Sequence, residues 1–122
     1  MTLLVVDAAN VMGSVPDGWW RDRAGAAERL RDRLVPIAEA GLPGVPPPVD
    51  IVLVVEGAAR GVTGVPGVRV VAAPGSGDDA IVDLVQHADK AKLCIVVTAD
   101  RGLRARVAAL GAETLGPRAV WG

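Results

Sequence analysis

Several acidic residues in this sequence lie just after an apolar run or at the start of the helix that follows such a run. A parallel sheet would bring these positions together. They are Asp7, Glu56, Asp78, Asp79 and Asp100, with Asp83 one helical turn beyond Asp79. Two like charges about 5 Å apart repel by roughly 3 kcal/mol at an effective dielectric near 20, so such a cluster requires protons or a cation. Because the set contains only oxygen ligands, it matches Mg²⁺ or Mn²⁺ rather than zinc. Carboxylate-held Mg²⁺ is suited to the hydrolysis of phosphodiesters.

Two of these carboxylate positions have an equally good explanation as helix caps. Asp100 precedes a predicted helix and is suited both to N-capping and to metal binding. Ser76 and Asp79 match the S-x-x-D capping pattern, in which the Asp79 side chain bonds back to its own backbone. That arrangement would leave Asp78 as the freer ligand, and a helix start shifted by one residue would reverse the choice.

Asp7 has a less obvious structural role, because no helix is predicted after it until one that begins near Trp20. Metal binding is therefore the favoured interpretation of Asp7. Asn10 is suited either to orient Asp7 and contact substrate or only to satisfy a turn. Glu56 precedes Gly57, and a simple turn is the favoured interpretation there.

Several other side chains are candidates for contact with a nucleic acid. Exposed indole rings would stack on bases, whereas buried ones would pack the start of a helix. Hydroxyls and guanidinium groups contact phosphate oxygens, although hydroxyls near turns are frequent. The candidates for substrate binding are Ser14, Trp19, Thr98, Arg101 and Arg104. A second arginine cluster between residues 21 and 33 alternates with acids and is better explained as a solvated helix face.

The element pattern that would position these residues is that of an α/β domain. Nearly continuous apolar runs predict strands, and apolar residues at helical spacing predict the helices between them. The predicted strands cover residues 2–6, 51–55, 68–72, 93–97 and 112–115, and the predicted helices cover about 20–40, 78–89 and 103–110. Pro36 is expected to kink the first helix or end it early. Because crossover helices shield a parallel sheet on both faces, the carboxyl ends of the strands should share one edge.

Composition limits the class of protein further. The 122 residues suit one domain, 1–122, and the net charge of −1 argues against a general nucleic-acid coating protein. No apolar stretch approaches the roughly 20 residues of a membrane span, and the amino terminus runs directly into a strand instead of a signal sequence. The lone Cys94 fits a reducing compartment. We therefore expect a cytoplasmic protein without membrane contact.

Three short motifs occur in the order and spacing of a known family. Asp-Ala-Ala-Asn at 7–10, Gly-Ser-Gly-Asp-Asp at 75–79 and Val-Thr-Ala-Asp-Arg-Gly-Leu at 97–103 resemble the NYN domains of the PIN-like nuclease superfamily. The resemblance spans almost the whole chain, and it implies a three-layer α/β/α fold with a mostly parallel sheet and a metal-dependent ribonuclease. It also implies that Asp7, Asp78 or Asp79, and Asp100 are metal ligands, assisted by Asn10 and Thr98.

The chain departs from that family in two respects. Glu56 stands where many relatives have aspartate, and we expect no attached RNA-binding domain, which leaves the RNA substrate open. A targeting partner protein or a homodimer would supply the RNA contacts that such a domain makes in relatives.

Two other classes of function use the same residues. A nucleotide pyrophosphohydrolase or phosphatase would employ the same metal, although a phosphatase of the haloacid dehalogenase type requires Asp-x-Asp where this chain has Ala9. A receiver-like or RNA-binding module would bind metal or RNA without turnover. Neither a P-loop nor a dinucleotide-binding glycine motif occurs in the sequence.

Overall fold

The computed structural model describes residues 1–121, and its core is a five-stranded sheet in which each strand runs parallel to its neighbours. The strand order is β3-β2-β1-β4-β5. The strands are β1 Thr2–Asp7, β2 Val49–Val55, β3 Val68–Ala72, β4 Leu93–Val97 and β5 Glu113–Leu115. The α/β class and the predicted strands are confirmed, and the sheet is wholly parallel within the described residues.

Helices cover both faces of the sheet, which confirms the three-layer arrangement. They are α1 Ala8–Gly13, α2 Arg23–Ala40, α3 Gly77–Gln86, α4 Arg101–Ala109 and α5 Arg118–Trp121. Short 3-10 turns span Trp19–Arg21 and Gly57–Ala59. Helices α1, α2 and α5 pack on one face, while α3 and α4 pack on the other.

Strand β1 lies in the centre of the sheet and is buried on both faces. Leu4 and Val6 point into the layer of α1, α2 and α5, whereas Leu3 and Val5 point into the layer of α3 and α4. Each of these four side chains is at most 7% exposed. The continuous apolar run that predicted the strand is thus explained by two hydrophobic cores that meet at one strand.

Helix α2 starts later than predicted, and it is not ended by its internal proline. It begins at Arg23, because Asp22 caps it by accepting a hydrogen bond from the Gly25 amide at 2.9 Å, and Trp19–Arg21 forms a separate 3-10 turn. The helix continues past Pro36 to Ala40, its predicted end, so of the two effects expected of Pro36 an early end is excluded. Leu34 is fully buried before the proline, and apolar packing on both sides of it offsets the missing backbone hydrogen bond.

Two short helices were not predicted. Helix α1 follows β1 without an intervening loop, and α5 carries Trp121, whose indole N–H donates to the Val11 carbonyl at 3.1 Å. Six and four residues are too few to show helical periodicity. The remaining helix bounds differ from the predicted ones by one to three residues.

The strand order also defines where a ligand would bind. The chain proceeds from β1 to β2 and β3 on one side of the sheet, and then crosses back to place β4 and β5 on the other side. The carboxyl ends of β1 and β4 therefore flank the point at which connections diverge, which is the usual ligand crevice of such sheets. None of the helices within residues 1–121 is long and apolar enough to cross a membrane.

Candidate active site

Asp7 and Thr98 lie side by side at the carboxyl ends of the two central strands. Val6 is the register partner of Val97, so the next residue of each strand projects at the same edge. The Thr98 hydroxyl donates a hydrogen bond to Oδ2 of Asp7 at 2.9 Å, and both side chains are buried, at 0% and 4% exposed. The hydroxyl thereby fixes the orientation of the Asp7 carboxylate.

Asp7 also caps helix α1, which corrects the expectation that it has no helix to cap. Its Oδ1 accepts a long hydrogen bond from the Asn10 amide at 3.3 Å. Burial raises the pKa of Asp7 above its ordinary value, the hydrogen bonds from Thr98 and Asn10 lower it, and the charges of Asp78 and Glu56 raise it further. A cation beside Asp7 would relieve both the desolvation and the repulsion.

The loop between β4 and α4 is held against α1 by a chain of hydrogen bonds. Oδ1 of Asn10 accepts from the Ala99 amide at 2.8 Å, and the Thr98 hydroxyl oxygen accepts from the Asp100 amide at 3.1 Å. Asp100 in turn caps α4 by accepting from the Leu103 amide at 2.9 Å. Asp100 is therefore a helix cap that stands at the same edge as Asp7.

The prediction that Thr98 contacts the substrate is wrong. Because Thr98 is fully buried and its hydroxyl is hydrogen-bonded to Asp7 and to the Asp100 amide, it does not face a substrate. It positions the carboxylates instead.

Asp78 and Asp79 point to different surroundings. Ser76 accepts from the Asp79 amide at 3.2 Å, but the Asp79 carboxylate does not bond back to the backbone; its Oδ1 accepts from Arg106 on α4 at 3.0 Å. Partial burial raises the pKa of Asp78, and the charges of Asp100 and Glu56 raise it further. Asp78 is therefore the member of the pair that shares the acidic edge.

Glu56 has a larger role than the turn that its sequence context favoured. Its Oε2 accepts a hydrogen bond from the Gly77 amide at 2.9 Å, so the end of β2 is tied to the start of α3. It also adds negative charge near Asp7 and Asp78. Its position after a buried strand was the available sequence signal, but its partner lies 21 residues away.

Gly77 lies so close to the Glu56 carboxylate that an added side chain would make the carboxylate shift. A Cβ at Gly77 would lie 3.1 Å from Oε1 of Glu56, whereas a Cβ at Gly75 would meet nothing within 4 Å. We expect Gly77→Ala to be less stable than Gly75→Ala by about 1 kcal/mol, the cost of an off-rotamer side chain. Urea unfolding of the two variants measures this difference, and equal unfolding free energies would show that the Glu56 contact yields without cost.

The other predicted substrate-binding residues are dispersed around this edge. The Ser14 hydroxyl donates to the Val11 carbonyl at 2.6 Å at the end of α1, and Arg104 donates through Nε to the Thr98 carbonyl at 2.8 Å, bracing the end of β4. Arg101 is exposed on the first turn of α4. Trp19 is half-buried against the core, with its ring edge-on to Trp20 at 6.0 Å between centroids.

The donor chemistry of this edge fits a hard divalent cation, but its side chains do not form a ready cage. Four carboxylates, from Asp7, Glu56, Asp78 and Asp100, supply only oxygen atoms, and the pKa values of Asp7 and Asp78 are raised by burial and further by neighbouring acids. Among residues 1–121, no three acidic, histidine or cysteine side chains are arranged as a complete metal site. Metal binding therefore remains a prediction that requires the half-buried Glu56 and Asp78 and the exposed Asp100 to move toward Asp7.

Comparison with known proteins provides a match at the level of fold. No protein-family model matches the chain, and neither does any curated protein sequence. The chain is similar to two crystal structures of Rae1 (YacP) from Bacillus subtilis. For one of them, the match covers 99% of this chain and 72% of the other chain, with 20% identity and a TM-score of 0.78. For the W164L mutant, the match covers 99% of this chain and 73% of the other chain, with 19% identity and a TM-score of 0.73. At this level of identity, the likeness establishes that the chain has the fold of these α/β proteins.

Proposed function

We propose that this protein hydrolyses RNA phosphodiester bonds at the carboxyl edge of its sheet, as a metal-dependent ribonuclease related to the NYN domains of the PIN-like superfamily. The observation that supports this most is the hydrogen-bonded link from Asp7 through Thr98 to the Asp100 backbone, which holds two carboxylate-bearing segments together at the ligand crevice. The three motifs that resemble the NYN family all contribute residues to this edge.

Asp7, Asp78 and Asp100 are the residues that would hold Mg²⁺ or Mn²⁺. Such an ion, when bound, lowers the pKa of a water molecule and stabilises charge on the phosphate. Thr98 keeps the Asp7 carboxylate in one orientation, and Asn10 keeps the loop that carries Asp100 against α1. Arg106 pairs with Asp79, and the exposed Arg101 is free to meet a substrate phosphate.

The remaining aspects of the proposal follow from the same assignment. RNA, single-stranded or structured, is the substrate class, and a cytoplasmic location agrees with the reduced Cys94. Because the surface carries no excess of positive charge, tight binding to a long RNA would require a targeting protein or a second copy of this chain.

Cleavage of single-stranded RNA with Mn²⁺, Mg²⁺ or a chelator tests the proposal, with Asp78→Asn and Asp79→Asn as a matched pair. We expect Asp78→Asn to lower the rate by about a hundredfold, because it removes charge from the cation site. Asp79 belongs to an exposed ion pair, so Asp79→Asn should change the rate by no more than about fivefold. Equal losses in the two variants, or cleavage unaffected by the chelator, would contradict the assignment.

The same assay distinguishes the second candidate function. A nucleotide pyrophosphohydrolase would use the same carboxylates but would release pyrophosphate from free nucleoside triphosphates. Turnover of triphosphates in the absence of RNA cleavage would replace the ribonuclease proposal with this one, and metal or RNA binding without any product would leave a binding module.

A further inference from the structure

A recess beside the acidic edge combines an aromatic ring, a cation and a carboxylate. It lies between α1, the 3-10 turn after β2 and the start of α2, and has a volume of about 190 Å³. Its walls include Ala9, Met12, Trp19, Arg23, Glu56 and Ala59, and we call it the Trp19 recess. A cavity of about 150 Å³ accommodates a benzene ring in another protein, so the Trp19 recess has room for one aromatic heterocycle.

The ring of Trp19 is held in place as one wall of this recess. Trp20 meets it edge-on at an interplanar angle of 89°, and the guanidinium carbon of Arg23 lies 5.4 Å from its centroid. Aromatic rings with adjacent arginines are the usual platform for the bases and phosphates of single-stranded nucleic acids. The walls of the Trp19 recess therefore suit a planar base attached to a phosphate chain.

Glu56 connects the Trp19 recess to the acidic edge. Its Oε2 accepts from the Gly77 amide, and among residues 1–121 no donor satisfies its Oε1. An occupant of the Trp19 recess would thus lie next to the carboxylates that are proposed to act on a phosphodiester. A carboxylate only accepts hydrogen bonds, so it favours an exocyclic amino group and repels the O4 carbonyl of uracil.

We propose that the Trp19 recess binds one nucleobase of the RNA chain, beside the phosphodiester to be cleaved, and prefers an amino-bearing base such as cytosine. This inference rests on the proposed function, because it assumes that RNA crosses the acidic edge. The base packs against Trp19 and the Arg23 guanidinium that lies over its ring, Glu56 accepts from the amino group, and Arg23 donates to the base carbonyl or to the adjoining phosphate.

Equilibrium binding in the presence of a chelator tests the base contact separately from cleavage. The probes are a short oligocytidylate and a strand of equal length whose sugars carry no base. The wild-type protein should bind oligocytidylate more tightly, and Trp19→Ala should weaken that binding by about 5- to 150-fold while leaving the abasic strand unaffected. Trp19→Phe should retain most of the preference, and Leu93→Ala, which alters an exposed side chain at the amino end of β4, should retain it too.

Two further variants examine the recess without removing Trp19. Ala9→Leu should fill the space and abolish the preference for base-bearing RNA in a protein whose urea unfolding is unchanged. Glu56→Gln, which keeps an acceptor for the Gly77 amide but adds a donor, should reduce the preference for oligocytidylate over oligouridylate.

The outcomes separate this inference from the proposed function. One outcome is that the wild type cleaves RNA with metal, while the Trp19→Ala and Ala9→Leu variants bind both strands as the wild type does. That result would overturn the base site and leave the proposed nuclease activity intact. Base-dependent binding that Trp19→Ala abolishes, with no cleavage under any metal, would support the base site and reject the nuclease. Wild-type protein with no preference for base-bearing RNA would also overturn the inference.

Discussion

Replacing Asp7 with Asn is expected to lower metal-dependent cleavage of single-stranded RNA by about a hundredfold or more. Asn has the size of Asp and can still accept the hydrogen bond from Thr98, but it lacks the charge that binds a cation. Initial rates in Mn²⁺ measure the loss. Asp50→Asn is a matched control, because Asp50 lies near the amino end of β2, where it pairs with Arg69 and Lys92. Undiminished cleavage by Asp7→Asn would refute the scheme.

The stability of the Asp7→Asn variant without metal supplies an internal check. The raised pKa of Asp7 means that the folded state holds this proton more tightly than the unfolded state does. The contribution of the Asp7 carboxyl to the free energy of unfolding is fully present below its pKa in the unfolded chain, near 3.8. It is lost as the pH rises through the pKa of the folded state. We therefore expect the metal-free wild type to lose stability across that window relative to the variant, and the reverse trend would show that Asp7 is satisfied as an anion.

Thr98→Val is expected to cost about 1–3 kcal/mol in the free energy of unfolding, the cost of leaving a buried polar partner unsatisfied. Valine has nearly the same shape, but it neither donates to the Asp7 carboxylate nor accepts from the Asp100 amide. The same change should reduce cleavage, because the Asp7 carboxylate loses its fixed orientation and the loop before α4 loses a contact.

Denaturant unfolding and cleavage rates should be measured together for Thr98→Val and for Thr98→Ser. Serine keeps the hydroxyl, so it should retain most of the activity and lose only the stability of a buried methyl group, about 1 kcal/mol. A valine variant as stable and as active as the wild type would show that the hydroxyl does not organise this edge.

The sheet was predictable because burial on both faces leaves a strong signal in the sequence. The runs at 51–55 and 93–97 are almost wholly aliphatic, and both form strands of the parallel sheet. Helix α1 was not predicted because it is short and lacks an apolar period. Without that helix, the prediction gave Asp7 no helix to cap. The continuation of α2 through Pro36 depends on tertiary packing, which a local rule does not include.

The acidic edge was predictable only in outline. Strand ends indicate which segments meet, but the partners of each side chain depend on register and on the rotation of each helix about its axis. Asp79 pairs with Arg106 on another helix, Glu56 binds the backbone of Gly77, and Thr98 is buried behind Asp7. None of these contacts is local in sequence, so no spacing rule could identify them.

The central position of the first strand has a consequence for biosynthesis. Strand β1 precedes the other four strands in chain order, yet its neighbours are β2 and the much later β4. A nascent chain therefore leaves one edge of this apolar strand without its β4 partner until residue 97 has been added, a condition that favours chaperone contact over early folding. Because the hydrogen-bond partner of Asp7 is Thr98, a chain that has not been translated to residue 98 has no organised acidic edge.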